Sequence, residues 1–389
     1  MSVLPSPSNT SAPQSKGYEA NLDDLLLRFA VGPGRQLNIN TAPLQAQAIQ
    51  TSETPEDFQQ EFGQIYSRTD FSGGSGLDKA HRRNKGELDF TRFWDSKGVD
   101  VFSGKEVGQE YKVSLLKSTE ELSSSTNTNL YMEEMGGSIF FADSDVLKRI
   151  DTPTATSITV TSETAPSAGN AITGLAVLGT QLYIVANGVI YKRTGASTYS
   201  TFNSTKTFSK IWSMKGRIVA SDTSGDLYEV TSASSPTTMK TLPTGTEWTD
   251  LADGGAVVLG AASDGYIYSF ADESSSLTLK GQTFIEGEVP NAIDAAQGFI
   301  FYGTFQNTAS GKIGRLYRAE ITNANSLYVL VNAQLIKQWG DGTTTIDQSP
   351  YKIISTRDSI YTGIKDSGSV TNLWRYYLPT TGIARDLEF

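Results

Sequence analysis

The sequence predicts an all-β fold: a β-propeller of about six blades, preceded by an extended N-terminal arm and a docking segment. Three observations carry this prediction. A strand–turn–strand unit recurs along the chain. The units follow one another at steps of roughly 40 to 60 residues, close to the length of a four-stranded propeller blade. A weaker apolar run precedes most units, where the innermost strand of a blade would lie.

The clearest unit spans residues 179–193, in which Asn187-Gly188 separates two apolar runs. Both central residues of a type I′ turn need positive φ, and Asn-Gly meets that need, so the unit predicts a β-hairpin. The same pattern, with longer loops toward the end of the chain, recurs at residues 137–148, 216–228, 255–268, 298–317 and 358–374.

Weaker apolar runs before and after these hairpins supply the other two strands of each blade. Inner strands are predicted at residues 172–177, 208–212, 248–251, 292–295 and 351–355, and outer strands at 238–242 and 277–280. A β-sandwich with Gly-rich turns is the alternative. Because the repeat runs through most of the chain, it favours a propeller over residues 111–389. Tyr191, Tyr228 and Tyr268 recur in register and are expected at equivalent places in successive blades.

Ring closure is expected at the two ends of the propeller region. Residues 111–116 form an isolated strand-like run, and the last blade ends at residues 383–389. Pairing of these early and late segments within one blade would remove exposed strand edges.

Residues 1–50 read as an extended arm, because Ser, Pro and other small or polar residues dominate its start. Such a segment cannot offset its ordering entropy alone, so it is expected to lie against another subunit. Its apolar anchor is predicted at Leu22, Leu25, Leu26 and Phe29. This spacing fits one face of a helix capped by Asn21, and an extended run along a partner is the alternative.

Residues 51–110 read as a docking or linker segment. Thr54-Pro55, followed by acidic residues, predicts a short helix start. The only dense basic cluster of the chain lies at residues 79–85 and includes His81, Arg82 and Arg83. On an acidic chain such a cluster favours a contact with another subunit, and the alternative is a solvated loop.

Composition excludes several classes of function. The net charge of −10 argues against a nucleic-acid surface. With no Cys and one His, the chain has no disulfide framework, thiol nucleophile or His-rich metal site. No apolar run approaches the roughly 20 residues that span a membrane, and the start lacks the features of a signal peptide. No cofactor is predicted.

Two kinds of residue suit carbohydrate chemistry. Glycosidases need two carboxylates roughly 5 to 10 Å apart. Acidic residues near the expected inner or second strands are Glu133, Glu134, Asp250, Asp253, Asp294 and Asp358, among which the sequence distinguishes no pair. Aromatic rings that suit either sugar stacking or packing between blades are Trp212, Trp248, Trp339 and Trp374. Asp222-Thr-Ser-Gly-Asp226 lacks the ligand spacing of a calcium loop and is assigned to turn chemistry.

Two runs in the docking segment are the least repetitive part of the chain. They are Asp70-Phe-Ser-Gly-Gly-Ser-Gly-Leu-Asp-Lys-Ala-His-Arg82 and Thr91-Arg-Phe-Trp-Asp-Ser-Lys-Gly-Val-Asp100. Together they resemble a block found near the start of tail and other virion structural proteins of tailed bacteriophages, where β repeats follow as they do here. The block has no known chemistry, so the resemblance implies assembly and carries no catalytic residue.

The leading functional expectation is therefore a non-enzymatic structural protein of a tailed-phage virion, in the tail or adsorption apparatus. It would be made in the host cytoplasm and would contact other virion proteins and copies of itself through Leu22, Leu25, Leu26, Phe29, His81, Arg82, Arg83 and Trp94. A propeller that binds a host receptor or surface glycan is the first alternative, and a propeller glycosidase is the second.

Overall fold

The computed structural model describes residues 18–22, 25–31, 37–41, 74–75, 92–93, 99–102, 114–115, 131–155, 158–231, 235–273, 275–309, 311–340, 348–365, 371–379 and 381–388. The chain divides into two compact units. A central unit comprises Ser118–Thr371, and a terminal unit combines Met1–Lys117 with Asn372–Phe389. In the described ranges every regular element is a β-strand, and no helix there is long and apolar enough to cross a membrane.

The terminal unit begins with a three-stranded antiparallel sheet of β1 (Tyr18–Leu22), β2 (Leu25–Val31) and β3 (Leu37–Thr41). The helix expected from Asn21 to Phe29 is therefore wrong. Two Asp residues separate Leu22 from Leu25, which are register partners at the end of the hairpin. Asp favours turns over helix interiors, and β3 supplies β2 with a second hydrogen-bonding partner.

Register gives this sheet one apolar face, because alternate residues of a strand belong to opposite faces. The rows on that face are Tyr18/Phe29/Ile39, Ala20/Leu27/Thr41, Leu22/Leu25 and Val31/Leu37. The rows on the other face are Glu19/Arg28/Asn40, Asn21/Leu26 and Ala30/Asn38. Of the four predicted anchor residues, Leu22, Leu25 and Phe29 thus share the apolar face, and Leu26 lies on the polar one.

Four short strands follow in the terminal unit: β4 (Gly74–Ser75), β5 (Arg92–Phe93), β6 (Val99–Asp100) and β7 (Ser114–Leu115). β4 pairs with β5 in parallel, and β6 pairs with β7. The helix start predicted at Thr54 and the basic residues 79–85 lie outside the described residues.

The central unit contains five four-stranded antiparallel sheets, each made of strands consecutive in sequence. The first blade is β8 (Met132–Met135), β9 (Ser138–Asp143), β10 (Val146–Ile150) and β11 (Val160–Glu163). The second is β12 (Ile172–Leu178), β13 (Gln181–Ala186), β14 (Val189–Gly195) and β15 (Thr198–Asn203). The third is β16 (Phe208–Met214), β17 (Arg217–Asp222), β18 (Asp226–Val230) and β19 (Thr237–Thr241).

The fourth blade is β20 (Trp248–Asp253), β21 (Val257–Ala262), β22 (Tyr266–Glu273) and β23 (Ser276–Phe284). The fifth is β24 (Val289–Ala296), β25 (Phe299–Thr308), β26 (Gly311–Ala324) and β27 (Leu327–Trp339). Of the sixth, β28 (Ser349–Ser355) and β29 (Ser359–Lys365) belong to the central unit, and β30 (Thr371–Tyr377) and β31 (Gly382–Glu388) are described with the terminal unit. The prediction of an all-β propeller with about six blades is confirmed, and the β-sandwich alternative is wrong.

The predicted hairpin turn is present as expected. Asn187 and Gly188 have φ values of 51° and 72°, as a type I′ turn requires. Lys215 and Gly216 repeat the pattern at 51° and 72°. The sequence therefore specified these turns locally.

The core lies between successive blades, and the facing apolar side chains form a buried cluster at each of the four junctions from the first blade to the fifth. The clusters from the first to the fifth blade are Phe140/Leu147/Ile172/Leu182, Tyr183/Ile190/Phe208/Tyr228, Val219/Leu227/Trp248/Phe270 and Leu259/Ile267/Ile293/Tyr302. A blade has two apolar faces and buries each of them only against a neighbour, so the stacking of blades is what stabilises the fold.

The recurring tyrosines occupy equivalent positions. Their register partners on the second strand of each blade are Ile184 for Tyr191, Ala220 for Tyr228 and Gly260 for Tyr268. The hydroxyl of Tyr228 lies 2.9 Å from Asp222 Oδ2, and that of Tyr268 donates to Asp264 Oδ2 at 2.7 Å. The other oxygen of Asp222 accepts from the backbone N–H groups of Ser224 and Asp226 at 2.9 and 3.0 Å, which is turn chemistry.

A buried ion cluster joins the outer part of the first two blades. Glu163 of β11 is 4% exposed and accepts from Arg193 Nε at 2.8 Å and Nη2 at 2.6 Å. Arg149 Nη1 lies 3.2 Å from the same carboxylate, and Ser197 N donates to it at 3.1 Å. Burial alone would raise the pKa of Glu163, but the hydrogen bonds from Arg193 and Ser197 and the charges of both arginines outweigh burial and lower that pKa.

The terminal unit joins the two ends of the chain. Within it β30 pairs with β31, and Ile383 of β31 is the parallel register partner of Gly74 in β4. Gly74 has φ of 69°, and a Cβ there would lie 2.4 Å from Ile383 O, so only glycine allows this approach. The expected pairing of residues 111–116 with 383–389 is wrong. An early segment does pair with the last strand, but that segment is β4, and Ser114–Leu115 pairs with Val99–Asp100.

Candidate functional site at the propeller axis

The first strands of the blades lie side by side around the axis, as the adjoining pairs β12–β16, β20–β24 and β24–β28 show. Five of these inner strands contain a β-bulge near their start. The bulged residues are Thr173, Ser209, Thr249, Asn291 and Tyr351. A bulge adds one residue to the strand and interrupts the regular alternation of faces. The side chains at and after the bulge can therefore point in directions that a regular strand would not allow.

Side chains at or just after the bulge bond to the next blade. We call these bonds clasps, and each ends on the carbonyl of the residue that precedes the next bulge. The three clasps are Lys210 Nζ to Trp248 O at 2.7 Å, Thr249 Oγ1 to Pro290 O at 3.0 Å and Asn291 Nδ2 to Pro350 O at 2.6 Å. They tie the third blade to the fourth, the fourth to the fifth and the fifth to the sixth.

Asp250 is the hub of the axial polar groups, and it is 4% exposed. Its Oδ1 accepts from Leu251 N at 3.1 Å and from Trp212 Nε1 of the third blade at 3.3 Å. Its Oδ2 accepts from Ile293 N of the fifth blade at 3.3 Å. Lys352 Nζ of the sixth blade lies 3.1 and 3.2 Å from the two oxygens. One carboxylate therefore joins four blades.

Lys352 and Glu133 extend this network to the first blade. Burial would lower the pKa of Lys352, but the attraction of Asp250, its hydrogen bonds and the charges of Asp294 and Glu133 outweigh burial and raise that pKa. Burial raises the pKa of Glu133, and the charge of Lys352 only partly opposes the shift. The Lys352 side chain is nevertheless 50% exposed.

The acidic residues considered for the glycosidase alternative have different surroundings. Asp294 accepts from Ala295 N at 2.8 Å and Ser355 N at 2.6 Å. Asp253 pairs with Lys215 at 2.7 Å away from Asp250. Glu134 and Asp358 are exposed. Asp250 and Asp294 thus hold neighbouring strands together, which is a positioning role. In the described ranges, no group of three or more His, Asp or Glu is arranged to hold a metal ion.

The four tryptophans considered as sugar platforms separate into two groups. Trp248, Trp339 and Trp374 are buried at 1%, 5% and 7% exposure, and Trp248 Nε1 donates to Gly225 O at 3.0 Å. A sugar cannot stack on a ring that the protein covers on both faces, so these three serve packing. Trp212 is partly buried beside Asp250.

The predicted subunit contacts belong to the terminal unit, not to the axis. Leu22, Leu25, Leu26 and Phe29 lie in β1 and β2, and His81, Arg82, Arg83 and Trp94 lie outside the described residues. Sequence reasoning missed the clasp residues and Lys352. Their one signal was a polar residue one to three places after the first residue of the inner strand, where an apolar alternation would continue.

Comparisons with known proteins give similarity at the level of fold. No family model matches the sequence, and no curated protein matches it. The β-propeller domain of Cps50 (Swd1) from Myceliophteria thermophila is 10% identical, with a TM-score of 0.47, over 68% of this chain and 89% of that one. A chain of a mitotic checkpoint complex is 9% identical, with a TM-score of 0.44, over 70% of this chain and 89% of that one.

Proposed function

We propose that the chain is a non-enzymatic structural protein of a tailed-phage virion, located in the tail or adsorption apparatus. It acts by assembly with other virion proteins and with copies of itself. The propeller is the rigid body, and the residues before it attach that body to the particle. The resemblance of residues 70–100 to virion proteins supports the location.

The observation that carries the assembly role is the apolar face of the sheet β1–β3. Nine apolar residues in four register rows gather on that face, and the opposite face has Glu19, Arg28 and Asn residues. A small sheet with one apolar face is stable only when that face is covered. In this proposal the sheet is the part of the chain through which the protein is incorporated.

The axial network supports a rigid body rather than a reactive centre. Asp250 and Asp294 use their oxygens to hold backbone N–H groups and Lys352. A hydrolytic carboxylate pair needs room for a substrate between the two groups. Blade-to-blade bonding of these acids suits a protein whose task is to keep its shape.

Deletion of residues 1–50 tests the proposal. The propeller should fold with almost unchanged thermal melting, and the truncated chain should fail to enter particles. A finer test replaces Leu25 and Phe29 by Asp on the apolar face, with Leu26→Asp on the polar face as the matched control. Incorporation should fall with the first pair and persist with the control. Normal incorporation of the truncated chain would contradict the proposal.

One observation favours the alternative of a propeller that binds a host receptor or glycan. Lys352 and its neighbour Tyr351 are both exposed at the axis, the latter at 43%. Binding of free glycans that is lost in Lys352→Met, with particle assembly intact, would support that alternative over the structural role.

A further inference from the structure

The outer rim of the junction between the third and fourth blades has a row of one ammonium group and three aromatic rings, which we call the rim row. Lys240 Nζ of β19 lies 5.4 Å from the centroid of the Tyr268 ring. The ring of Tyr268 is 5.8 Å from that of Tyr266, and the ring of Tyr266 is 5.0 Å from that of Phe284. Neighbouring members are therefore in contact along the whole row, which ends at the last residue of β23.

Strand register explains why these side chains share one face. Tyr266 and Tyr268 are two residues apart on β22, and their register partners on β23 are Phe284 and Gln282. Residues two apart in a strand, and residues directly opposite each other across a pair, lie on the same face. Tyr266 and Tyr268 pack with the cluster between the third and fourth blades, so this face is the one toward the third blade. The Gln282 side chain therefore lies beside the rim row.

Exposure increases along the rim row. Tyr268 is 3% exposed, Tyr266 is half-buried and Phe284 is 57% exposed. Within the ranges that the structure describes, no carboxylate pairs with the ammonium group of Lys240, and the exposed amide of Gln282 makes no hydrogen bond. The rim row thus combines an accessible ring with one uncompensated positive charge and one free amide.

The third blade shows which part of this arrangement serves the fold. There Lys206 Nζ lies 5.3 Å from the centroid of the Tyr228 ring, so a cation over a tyrosine recurs and belongs to the packing of the blades. The register pair that corresponds to the two outer rings is Asp226 and Thr241, whose side chains hydrogen-bond to each other. The same strand pair therefore forms without aromatic residues, and the two outer rings of the fourth blade are not required by the fold.

The free groups of the rim row define the chemistry of a ligand. An exposed aromatic ring packs against the C–H face of a sugar, and an amide offers two donors and an acceptor to sugar hydroxyls. An uncompensated ammonium group favours a carboxylate through a charge-assisted hydrogen bond. The net charge of −10 repels heavily charged polyanions. An apolar peptide would leave Lys240 and Gln282 without polar partners, so the set fits a sugar with one carboxylate best.

We propose that the rim row binds a carboxylate-bearing sugar of a glycan. The sugar ring stacks on Phe284, its hydroxyls bond to Gln282 and its carboxylate pairs with Lys240. Phe284 and Gln282 are about 7 Å apart along β23, since a strand rises about 3.4 Å per residue, so one sugar contacts both. The proposal goes beyond the structural role and does not rest on it, and its test uses the full chain without particles.

The test is calorimetric titration of the full chain with two acidic probes, trigalacturonate and sialyllactose. Their uncharged counterparts are the methyl ester of the first and lactose. At least one acidic probe should bind, and its counterpart should bind more weakly. Phe284→Ala should weaken binding of that probe by about tenfold through loss of the stacked ring. Lys240→Gln should weaken it by about threefold, because an exposed charge pair is weak, and should abolish the preference for the acidic probe.

Matched variants separate the site from general effects. Phe284→Leu keeps an apolar side chain without the ring and should lose binding as Phe284→Ala does. Lys206→Gln, at the corresponding cation of the third blade, should leave binding unchanged, as should Lys352→Met at the axis. Phe284 is exposed, so its variants are expected to fold, and thermal melting checks this. Gln282→Ala, which removes a side chain without a hydrogen bond, provides a second test with an expected loss of about threefold.

Four outcomes would overturn the proposal. The first is absence of binding for both acidic probes. The second is equal affinity for an acidic probe and its uncharged counterpart. Full affinity in Phe284→Leu would show that the ring is not needed and that an apolar partner is the occupant. Loss of binding in Lys352→Met, with full binding in the Phe284 variants, would place the sugar at the axis.

Discussion

The junctions from the third to the sixth blade and the junction from the sixth to the first use corresponding inner strands with different contacts. At the former, a clasp and the Asp250 hub bind each blade to the next. At the latter, Tyr351 occupies the bulge position and is 43% exposed, and β8 has four residues and no bulge. The difference shows that one repeated element stabilises the ring at some junctions and leaves a surface accessible at another.

Removing the hub should give the largest effect on stability. Asp250→Ala takes away the acceptor of Trp212, Ile293 and Lys352. Breaking a buried ion pair costs about 3–5 kcal/mol, and rehydration of the half-exposed Lys352 brings the expected loss to about 2–4 kcal/mol. Denaturant unfolding measures it. Asp253→Asn, which breaks an exposed pair, should cost about 0–1 kcal/mol, and an equal cost for both variants would contradict the special place of the hub.

The ion cluster of the first two blades should give an acid-dependent effect of about 1.5–3 kcal/mol, the range for hydrogen bonds to a charged group. The folded-state pKa of Glu163 is lowered. Its contribution is therefore complete above the ordinary value of 4.5 and is lost as pH falls through the folded-state pKa. Glu163→Gln should destabilise the protein at neutral pH, and the deficit should shrink below that ordinary value.

Glu133 at the axis should affect the pH dependence of stability with the opposite sign. Its folded-state pKa is raised, so ionisation opposes folding as pH rises from 4.5 through the folded-state pKa. Glu133→Gln should stabilise the protein at neutral pH and have no effect in acid below 4.5. Unfolding curves of both variants, measured from acid to neutral pH, should differ from those of the unchanged protein in opposite directions. Parallel curves would contradict the assignment.

A single clasp should contribute less. Thr249→Val keeps the shape of the side chain and leaves Pro290 O without its donor. The expected loss is about 1 kcal/mol, the usual net value of one hydrogen bond. Thr249→Ser keeps the hydroxyl and serves as the matched control. A Val variant as stable as the Ser variant would show that the clasp is not stabilising.

A change at Ile354 of β28 should have the smallest effect on stability. Ile354→Gln alters a side chain that is 55% exposed, and surface changes away from special features stay within about 0.5 kcal/mol. Thermal melting should therefore be nearly unchanged. A loss as large as that of Thr249→Val would mean that Ile354 is part of the core, and the contrast between the junctions would fail.

The blades could be predicted from the sequence because the signals for their strands and turns are local. Asn187-Gly188 specifies its turn through positive φ at both residues, and the apolar run at 172–177 became β12. The clasps could not be predicted, because Thr249 contacts Pro290 only after two blades have packed together. The spacing of Leu22, Leu25 and Phe29 suggested a helix, and pairing with Leu37–Thr41 overrode that local preference.

The pairing of Gly74 with Ile383 sets the order in which parts of the protein can fold during synthesis. The two residues lie near opposite ends of the chain, whereas each of the first five blades is complete once its own four consecutive strands have left the ribosome. Domains fold as their segments emerge. The central blades can therefore form during translation. β4 can pair with β31 only after β31 has been synthesised. Premature termination before β31 would release a chain with formed blades and an incomplete terminal unit, so completion of that unit depends on the synthesis of β31.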